Sequence, residues 1–310
     1  MSLSSVINDI KKLKIQGAVE VAQAAVEALV VESQRYQKKS LAVWQKAITQ
    51  AAWQLEQSRP TEPMMVNSLY YLVATASRLW PEAKTGQEEL IKAKALLLKQ
   101  YQDIDQKIVH FGTQLIGSQS LILTHCHSGT VEKILLKAYQ QKKFSVINTE
   151  TRPLFQGHIT ALNLSAAGIP VTMIVDSAAP SFLANQNDFQ NNQMKIDQVI
   201  IGADALLYDG SVINKIGSYG IALAAWTNHI PVYIAASLLK LDADNQIAIE
   251  RRSSKEIWEH SSVNLDLINP AFDVIPSKYL TGLICERGVI KTQDIKKSVE
   301  KEYPWLLKSS

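Results

Sequence analysis

The spacing of apolar residues changes once along this chain, and glycine content changes at the same place. Only two of the 13 glycines, Gly17 and Gly86, lie before residue 111. In that first part apolar residues recur at intervals of three and four, as in helices that bury one face. Two stretches show this spacing most clearly: Val19, Ala22, Val26, Leu29 and Val30, and then Leu90, Ile91, Ala95, Leu98 and Tyr101. The pattern predicts an all-α domain over residues 1–111, with a non-helical turn at residues 59–63, where two prolines stand.

From residue 112 onward, short runs rich in β-branched residues replace the helical spacing. Five of them are typical of buried parallel strands: residues 121–124, 144–149, 171–175, 199–201 and 232–235. Segments with helical spacing separate them, at residues 131–140, 159–167 and 219–228. Each interval from strand to strand is about the size of one βαβ unit. The sequence therefore predicts a Rossmann-like, doubly wound α/β domain over residues 112–310, which binds its ligand at the carboxyl ends of the strands. The polar stretch 185–195 is interpreted as a surface loop.

Composition excludes several classes of protein. The chain is 46% hydrophobic and 20% charged, so it has enough apolar surface to form cores. Its net charge of +3 is scattered along the sequence, which does not favour a nucleic-acid partner. The apolar stretches fall short of the roughly 20 residues that span a bilayer, which argues against a membrane protein. Two cysteines are typical of reduced thiols, and we expect a cytoplasmic protein.

The segment after the first predicted strand carries the most reactive side chain. Cys126 lies where a strand gives way to a helix, and the field of a helix N-terminus lowers the pKa of a thiol. The alternative interpretation of Cys126 is a small buried apolar residue. Ser128, Gly129 and Thr130 follow it and are similar to the opening of a phosphate-binding turn.

The two histidines beside this cysteine are interpreted differently. Successive residues near a strand end point in opposite directions, so His125 and His127 need not share the face of Cys126. Each is interpreted as a polar residue with its hydrogen bonds satisfied at the start of a loop. No metal site is predicted, because no further cysteine or carboxylate cluster supplies ligands. Ser128 lacks the glycine pattern of a serine nucleophile.

Three later segments place polar groups at the same edge of the predicted sheet. Asp204 follows the fourth predicted strand, where burial would let its carboxyl group hold or exchange a proton near neutral pH. It is also a possible cap of the next turn. Asn214 and Lys215 precede a helix start at residues 216–218, a combination that suits a phosphate, although both residues also have ordinary roles in a loop. Lys240 adds a second cation after the fifth strand.

Taken together, these motifs resemble one protein superfamily over nearly the whole chain. It contains the alpha, beta and delta subunits of translation initiation factor 2B, methylthioribose-1-phosphate isomerase and ribose-1,5-bisphosphate isomerase. The resemblance is carried by residues 124–126 (Thr-His-Cys), 150–153 with 156–157, 202–204 (Gly-Ala-Asp), 214–217 (Asn-Lys-Ile-Gly), 269–274 with Pro276, and 286–288.

The isomerases of that superfamily carry a catalytic cysteine and aspartate at the positions of Cys126 and Asp204, whereas the initiation-factor subunits generally lack the pair. The resemblance therefore implies an enzyme, an aldose-ketose isomerase. The order His125-Cys126-His127-Ser128 and the short helical domain are more similar to the ribose-1,5-bisphosphate branch than to the methylthioribose branch, which normally has Cys-Asn-x-Gly. The implied reaction turns ribose 1,5-bisphosphate into ribulose 1,5-bisphosphate and needs no redox cofactor.

Residue by residue, the resemblance implies a set of substrate contacts: Gln16, Gly17, Ala18, Arg59, Ser128, Gly129, Thr130, Arg152, Asn214, Lys215 and Lys240. One position departs from the pattern, because Gln16 stands where the isomerases usually have an arginine. A neutral amide there replaces a bidentate cation.

Two classes of function stay open at this stage. The first is the isomerase, in which Cys126 removes the C2 proton and Asp204 protonates the ring oxygen. The second is a regulatory or scaffold subunit that binds a sugar phosphate or nucleotide without turnover, which Gln16 favours. The resemblance also implies a homo-oligomer, either a dimer or an assembly of dimers.

Overall fold

The structure is a computed structural model of the chain and describes residues 2–15, 17–184, 194–243, 249–260 and 262–307. It divides into two compact units. The first comprises Met1–Ile104, Leu239–Ala243 and Glu300–Ser310, and the second comprises Asp105–Leu238 and Asp244–Val299. The division lies slightly before the boundary that the sequence predicts between residues 111 and 112.

The first unit is built from helices. In chain order they are α1 (Leu3–Lys11), α2 (Ala18–Gln34), α3 (Leu41–Glu56), α4 (Pro63–Ala76) and α5 (Ala83–Leu115), the last of which crosses the division. Ser2 and Ser40 cap α1 and α3 by accepting hydrogen bonds from first-turn N–H groups. Pro63 occupies the first position of α4, so the predicted break at residues 59–63 is confirmed.

Burial tests the predicted helical faces. In α2 the predicted stripe is confirmed, since Ala22, Val26 and Leu29 are fully buried. In α5 the prediction is wrong by a fraction of a turn, because Ile91 and Ala95 are exposed. The buried stripe of α5 includes Leu90, Ala93, Leu97, Tyr101 and Ile104. In this part of α5 apolar residues occur on every side of the helix, so their spacing alone does not identify the buried face.

The second unit is α/β. In chain order its elements are β1 (Leu121–Thr124), α6 (Gly129–Tyr139), β2 (Ser145–Thr149), α7 (Gln156–Ala166), β3 (Val171–Ile174), α8 (Ala179–Leu183), β4 (Gln198–Ile201), β5 (Ala205–Leu206), β6 (Val212–Lys215), α9 (Ser218–Thr227), β7 (Val232–Ala235), β8 (Phe272–Ile275), β9 (Gly282–Cys285), β10 (Gly288–Ile290) and α10 (Ile295–Glu302), whose last residues belong to the first unit.

Seven of these strands form one sheet in the order β10-β9-β7-β4-β1-β2-β3. All neighbours are parallel except β10, which runs antiparallel to β9. From β1 the chain proceeds to β2 and β3 on one side, then returns to β4 on the other side and continues outward. The doubly wound prediction is confirmed, and the direction of winding reverses between β1 and β4.

The five predicted strands are all present, within one residue at each end. The sequence did not predict β9 and β10, nor the small antiparallel sheet β5-β6-β8. That sheet contains a strand of only two residues, which is too short to show a period. Of the predicted loop 185–195, residues 185–193 lie outside the described residues. Among the helices that the structure describes, none combines the length and apolarity that crossing a membrane requires.

Candidate active site

The candidate site lies where the winding of the sheet reverses, at the carboxyl ends of β1 and β4. Cys126 follows β1, and Asp204 follows β4. The turns after these strands approach closely, because a Cβ atom on Gly202 would lie 2.7 Å from the hydroxyl oxygen of Ser128. Only glycine fits at that position. The predicted residues Cys126, Ser128 and Asp204 therefore share one edge of the sheet, where doubly wound proteins bind ligands.

The backbone at Cys126 is held in an uncommon conformation. Its φ is +68°, in the left-handed region that a cysteine rarely adopts. Its N–H donates to the hydroxyl of Thr151 at 2.9 Å, and its carbonyl accepts from the hydroxyl of Thr160 at 3.1 Å. These two threonines come from the segments around β2 and α7, so neighbouring elements of the fold maintain the turn.

Electrostatics at the thiol contradict one expectation from the sequence. Burial raises the pKa of the Cys126 thiol to about 11, and the negative charges of Asp204 and Asp176 add to this effect. The charge of Lys215 and a hydrogen bond from the His127 N–H act in the opposite direction. A helix terminus contributes only about 0.3–1 kcal/mol, less than one pKa unit, so it does not offset the loss of solvation. Cys126 is therefore a protonated thiol at neutral pH, although the sequence predicts a thiolate.

The carboxylate of Asp204 is available to a ligand. The residue is half-buried, and its N–H donates to the carbonyl of Ile213 at 2.8 Å. Among the described residues, no donor forms a hydrogen bond with its carboxylate oxygens. In the described part of the chain the Asp204 side chain therefore does not cap the next turn, which was its alternative role.

The N-terminus of α6 forms a possible anion site beside the thiol. The Ser128 side chain caps this helix by accepting from the N–H of Val131 at 3.4 Å. The N–H groups of Gly129 and Thr130 have no partner within the described part of the chain. First-turn N–H groups and the helix dipole favour a bound phosphate or carboxylate.

The second predicted phosphate turn, before α9, is differently arranged. The Asp273 carboxylate accepts from the N–H groups of Gly217 and Tyr219, at 2.7 and 3.0 Å. Asn214 donates to the hydroxyl of Ser218 at 2.9 Å. The Asp273 carboxylate therefore already accepts two N–H groups of this helix start. The expectation that this turn binds phosphate stays a prediction.

The cation of this turn remains part of the site. The Lys215 Nζ lies 5.1 Å from the centre of the Phe272 ring. Its positive charge acts on both the Cys126 thiol and the His125 ring. Lys215 therefore contributes positive charge at this edge of the sheet.

The turn after β2 carries Arg152 and is fixed by a carboxylate that the sequence reasoning missed. Asp176 accepts from the N–H groups of Thr151 and Arg152, at 2.8 and 2.6 Å. The Arg152 side chain is exposed, stacks on Phe155 at 4.9 Å, and donates to the carbonyl of Ile257 at 3.1 Å. A signal for Asp176 was available in the sequence, since it is the first residue after the third predicted strand. Asp273 lies within the motif 269–274 that carries the resemblance, but the sequence did not indicate that it accepts hydrogen bonds at the start of α9.

Both histidines have hydrogen-bond partners, as predicted. The His125 ring contacts the Thr149 hydroxyl at 2.6 Å and the Ile216 carbonyl at 2.9 Å. Nδ1 of His127 lies 3.1 Å from the hydroxyl of Thr160.

The remaining predicted contacts belong to the helical unit. Gly17 precedes α2 with a φ of +88°, and Ala18 is the first residue of that helix. The Arg59 guanidinium lies 3.5 Å from the buried carboxylate of Glu62. Lys240 ends a short 3-10 turn, and Gln16 lies outside the described residues. A substrate-binding role for these residues stays a prediction.

Comparison with known proteins gives consistent matches over most of the chain. The profile of the Initiation factor 2 subunit family matches residues 14–292. A ribose 1,5-bisphosphate isomerase of Thermococcus kodakarensis is 32% identical, over 96% of this chain and 94% of that protein. A methylthioribose-1-phosphate isomerase of Heliobacterium modesticaldum is 33% identical, over 91% and 85% of the two chains. Among solved structures, the translation initiation factor eIF-2B of Pyrococcus horikoshii OT3 superposes with a TM-score of 0.76 at 26% identity, covering 93% of this chain and 96% of that one.

Proposed function

Because the chain belongs to the Initiation factor 2 subunit family, we propose that it is a sugar-phosphate isomerase that converts ribose 1,5-bisphosphate to ribulose 1,5-bisphosphate. The observation that carries this proposal is the placement of Cys126 and Asp204 together, at the point where the sheet reverses its winding. Relatives that are named isomerases match more than nine-tenths of the chain.

The reaction needs two groups that move protons. A furanose phosphorylated at C1 has no free aldehyde, so conversion to a 2-ketose requires ring opening, loss of the C2 proton and gain of a proton at C1. A general acid must protonate the ring oxygen as its bond to C1 breaks, and a general base must take the proton from C2.

The raised pKa of Cys126 indicates how the pair meets this need. At neutral pH the thiol holds its proton, because its pKa is raised to about 11. Transfer of that proton to Asp204 produces a thiolate and a carboxylic acid without exchange with solvent. The proposed active form is therefore the minor state in which Asp204 is the acid and Cys126 is the base.

From that state the protons balance in two steps. Asp204 gives its proton to the ring oxygen as the ring opens, and the Cys126 thiolate takes the proton from C2, which leaves an enol between C1 and C2. The Cys126 thiol then returns the proton at C1, while Asp204 accepts the proton of the C2 hydroxyl. The net result is a ketone at C2 and the original pair.

The open N-terminus of α6 supplies a place for one phosphate. We propose that the N–H groups of Gly129 and Thr130 bind it, with Lys215 providing positive charge nearby. Cys126 is partly buried, and limited access of water there would protect the enol intermediate from losing phosphate.

Incubation of the purified protein with ribose 1,5-bisphosphate, followed by ¹³C and ³¹P NMR, tests the proposal. We expect a ketose signal at C2 and, in D₂O, limited deuterium incorporation at C1, because the same thiol removes and returns the proton. Methylthioribose 1-phosphate and ribose 1-phosphate serve as matched substrates. Absence of ketose from all three would contradict an isomerase.

The substituent at sugar C5 is tested through Gln16. If this residue faces a phosphate, Gln16→Arg lowers the apparent KM for the bisphosphate several-fold, or roughly 1–2 kcal/mol, because charged hydrogen bonds are about twice as strong as neutral ones. If it faces a neutral substituent, the same variant raises the KM, since a buried cation then lacks a partner. An unchanged KM with every substrate would show that Gln16 does not contact the sugar.

A binding function without turnover is the second candidate, and Gln16 is the observation that favours it. Such a protein binds a sugar phosphate, measurable by calorimetry, but yields no ketose. Binding with turnover supports the isomerase, and binding alone supports this alternative.

A further inference from the structure

His125 contacts three separate segments of the candidate site. It follows β1, and only 1% of its surface is exposed. Its Nδ1 lies 2.6 Å from the Thr149 hydroxyl, at the end of β2. Its Nε2 lies 2.9 Å from the carbonyl of Ile216, in the turn that carries Lys215. The ring therefore spans from the turn with the thiol to the turn with the cation.

The partners of the ring determine its tautomer. A carbonyl oxygen only accepts, so Nε2 must carry a hydrogen to bond with Ile216. In a neutral ring Nδ1 then has a lone pair, which accepts from the Thr149 hydroxyl. The Thr149 hydroxyl lies 3.3 Å from that of Thr151, which in turn accepts the N–H of Cys126 at 2.9 Å. A continuous set of hydrogen bonds thus joins the ring to the backbone of the reactive cysteine.

The charges around the ring act in both directions. Burial lowers the pKa of His125, and the charge of Lys215 acts in the same direction. The carboxylates of Asp176 and Asp273 and the Ile216 carbonyl oppose them. The Asp176 oxygen lies 3.9 Å from Nδ1, but both oxygens of that carboxylate already accept backbone N–H groups. The geometry and the charges are both consistent with a neutral ring.

Close packing holds the ring in place. Gly217 lies over it with a φ of +103°, and a Cβ atom there would come within 3.1 Å of Cε1. Gly217 is itself fixed by the hydrogen bond to Asp273. The ring therefore has little freedom to leave the Ile216 carbonyl.

We propose that His125 is a positioning residue of this site: as a neutral ring with its hydrogen on Nε2, it links the Cys126 turn to the Ile216 carbonyl and so fixes the thiol relative to Lys215. This role rests on the proposed isomerase function for its kinetic consequence, but the state of the ring does not depend on it. His125 moves no proton in the reaction.

The ring state is measured first, on the wild-type protein without substrate. ¹⁵N-histidine labelling and long-range ¹H–¹⁵N correlation spectra report which nitrogen carries hydrogen, and loss of one signal in His125→Gln assigns the residue. We expect a neutral ring with the hydrogen on Nε2 from pH 6 to pH 8. An imidazolium or an Nδ1–H tautomer at pH 7 would overturn the proposal.

Two variants then separate positioning from packing. The amide nitrogen of His125→Gln reaches the place of Nε2 and keeps a donor for Ile216, whereas the amide of His125→Asn reaches only the place of Nδ1. With ribose 1,5-bisphosphate we expect His125→Asn to lose roughly 10–100-fold in kcat with little change in KM, because a small displacement of reacting groups has effects of that size. We expect His125→Gln to stay within about fivefold of the wild type.

His229→Asn is the matched control. His229 is exposed and precedes β7, so it lies at the amino ends of the strands, away from the candidate site, and its φ of +58° is one that asparagine tolerates. Equal kcat losses in the Gln and Asn variants would overturn the link through Ile216. If the wild type forms no ketose, the proposed function fails, while the ¹⁵N spectra still decide the state of His125. If His125→Asn does not fold, the spectra and His125→Gln keep the test complete.

Discussion

Two turns of the α/β unit are similar in sequence but differ in whether the N–H groups at the start of the following helix have hydrogen-bond acceptors. Each leads from a strand into a helix and contains a serine and a glycine: Ser128 and Gly129 before α6, and Gly217 and Ser218 before α9. At α6 two first-turn N–H groups lack partners in the described structure, whereas at α9 the carboxylate of Asp273 accepts two. The comparison predicts that the turn before α6, whose N–H groups are open, binds an external anion more readily than the turn before α9, where Asp273 already accepts two N–H groups.

The difference also suggests different roles for the two turns. In the proposed isomerase the first turn, which carries Cys126 and faces Asp204, holds the reacting groups. The second turn carries Lys215 and is closed by Asp273, so it supplies a fixed positive charge. We therefore expect changes to the groups of the first turn to affect turnover, and loss of the Asp273 carboxylate at the second turn to affect mainly stability.

The largest effect is expected at the reacting pair. Cys126→Ser and Asp204→Asn should each lower kcat by roughly 10²–10⁴-fold, because each removes a group that transfers a proton. Ketose formation measures the loss, and calorimetric binding of ribose 1,5-bisphosphate should persist. Cys285→Ser is the matched control, since this buried cysteine donates to the carbonyl of Gly288, which a serine hydroxyl also does. Near wild-type rates in either site variant would show that the pair is wrongly assigned.

The pH dependence of turnover tests whether the pair shares one proton. Exchange between Cys126 and Asp204 leaves the number of bound protons unchanged, so kcat/KM should vary by no more than about twofold between pH 7 and pH 9. Above that range it should fall as the thiol, with its pKa raised to about 11, loses its proton to solvent. A thiol at its reference pKa near 8.5 would instead change its charge state within that range. A tenfold rise per pH unit would mean that the thiolate forms only by loss to solvent.

A change at the second turn should affect stability by a smaller amount. Asp273→Ala leaves two N–H groups of the α9 start without their acceptor, and we expect it to lower the free energy of unfolding by about 1–3 kcal/mol. Asp273→Asn is the matched variant, because its amide oxygen still accepts and should retain part of that stability. Urea unfolding followed by tryptophan fluorescence measures both. Equal stability of all three proteins would show that this carboxylate does not stabilise the turn.

The smallest effect is a shift in individual amide signals. Inorganic phosphate should move the backbone resonances of Gly129 and Thr130 in a ¹H–¹⁵N spectrum, and should leave those of Gly217 and Tyr219 in place. In Asp273→Ala the second pair should respond as well, because its acceptor is gone. A wild-type response at both turns would remove the distinction between them.

Much of the fold follows from local spacing in the sequence. The runs at 121–124 and 232–235 match strands β1 and β7 at both ends, and the placement of Cys126 and Asp204 after strands places them at one edge. The buried face of α5 did not follow from the sequence, because apolar residues occur on every side of that helix. The antiparallel sheet β5-β6-β8 did not follow either, because one of its strands has only two residues.

The sequence by itself determined the two kinds of region, the doubly wound α/β class and the strand ends that carry the candidate site. Helical spacing and short apolar runs are properties of neighbouring positions, so they can be recognised without the tertiary structure. Only the tertiary structure decided the direction of the pKa shift at Cys126 and whether the first N–H groups of α6 and α9 have acceptors. The pKa of the thiol depends on its burial and on the charges of Lys215, Asp204 and Asp176, which come from separate elements. The carboxylate that closes α9 lies 56 residues beyond Gly217 in the sequence. Both depend on distances between segments that are remote along the chain, and local spacing carries no information on such distances.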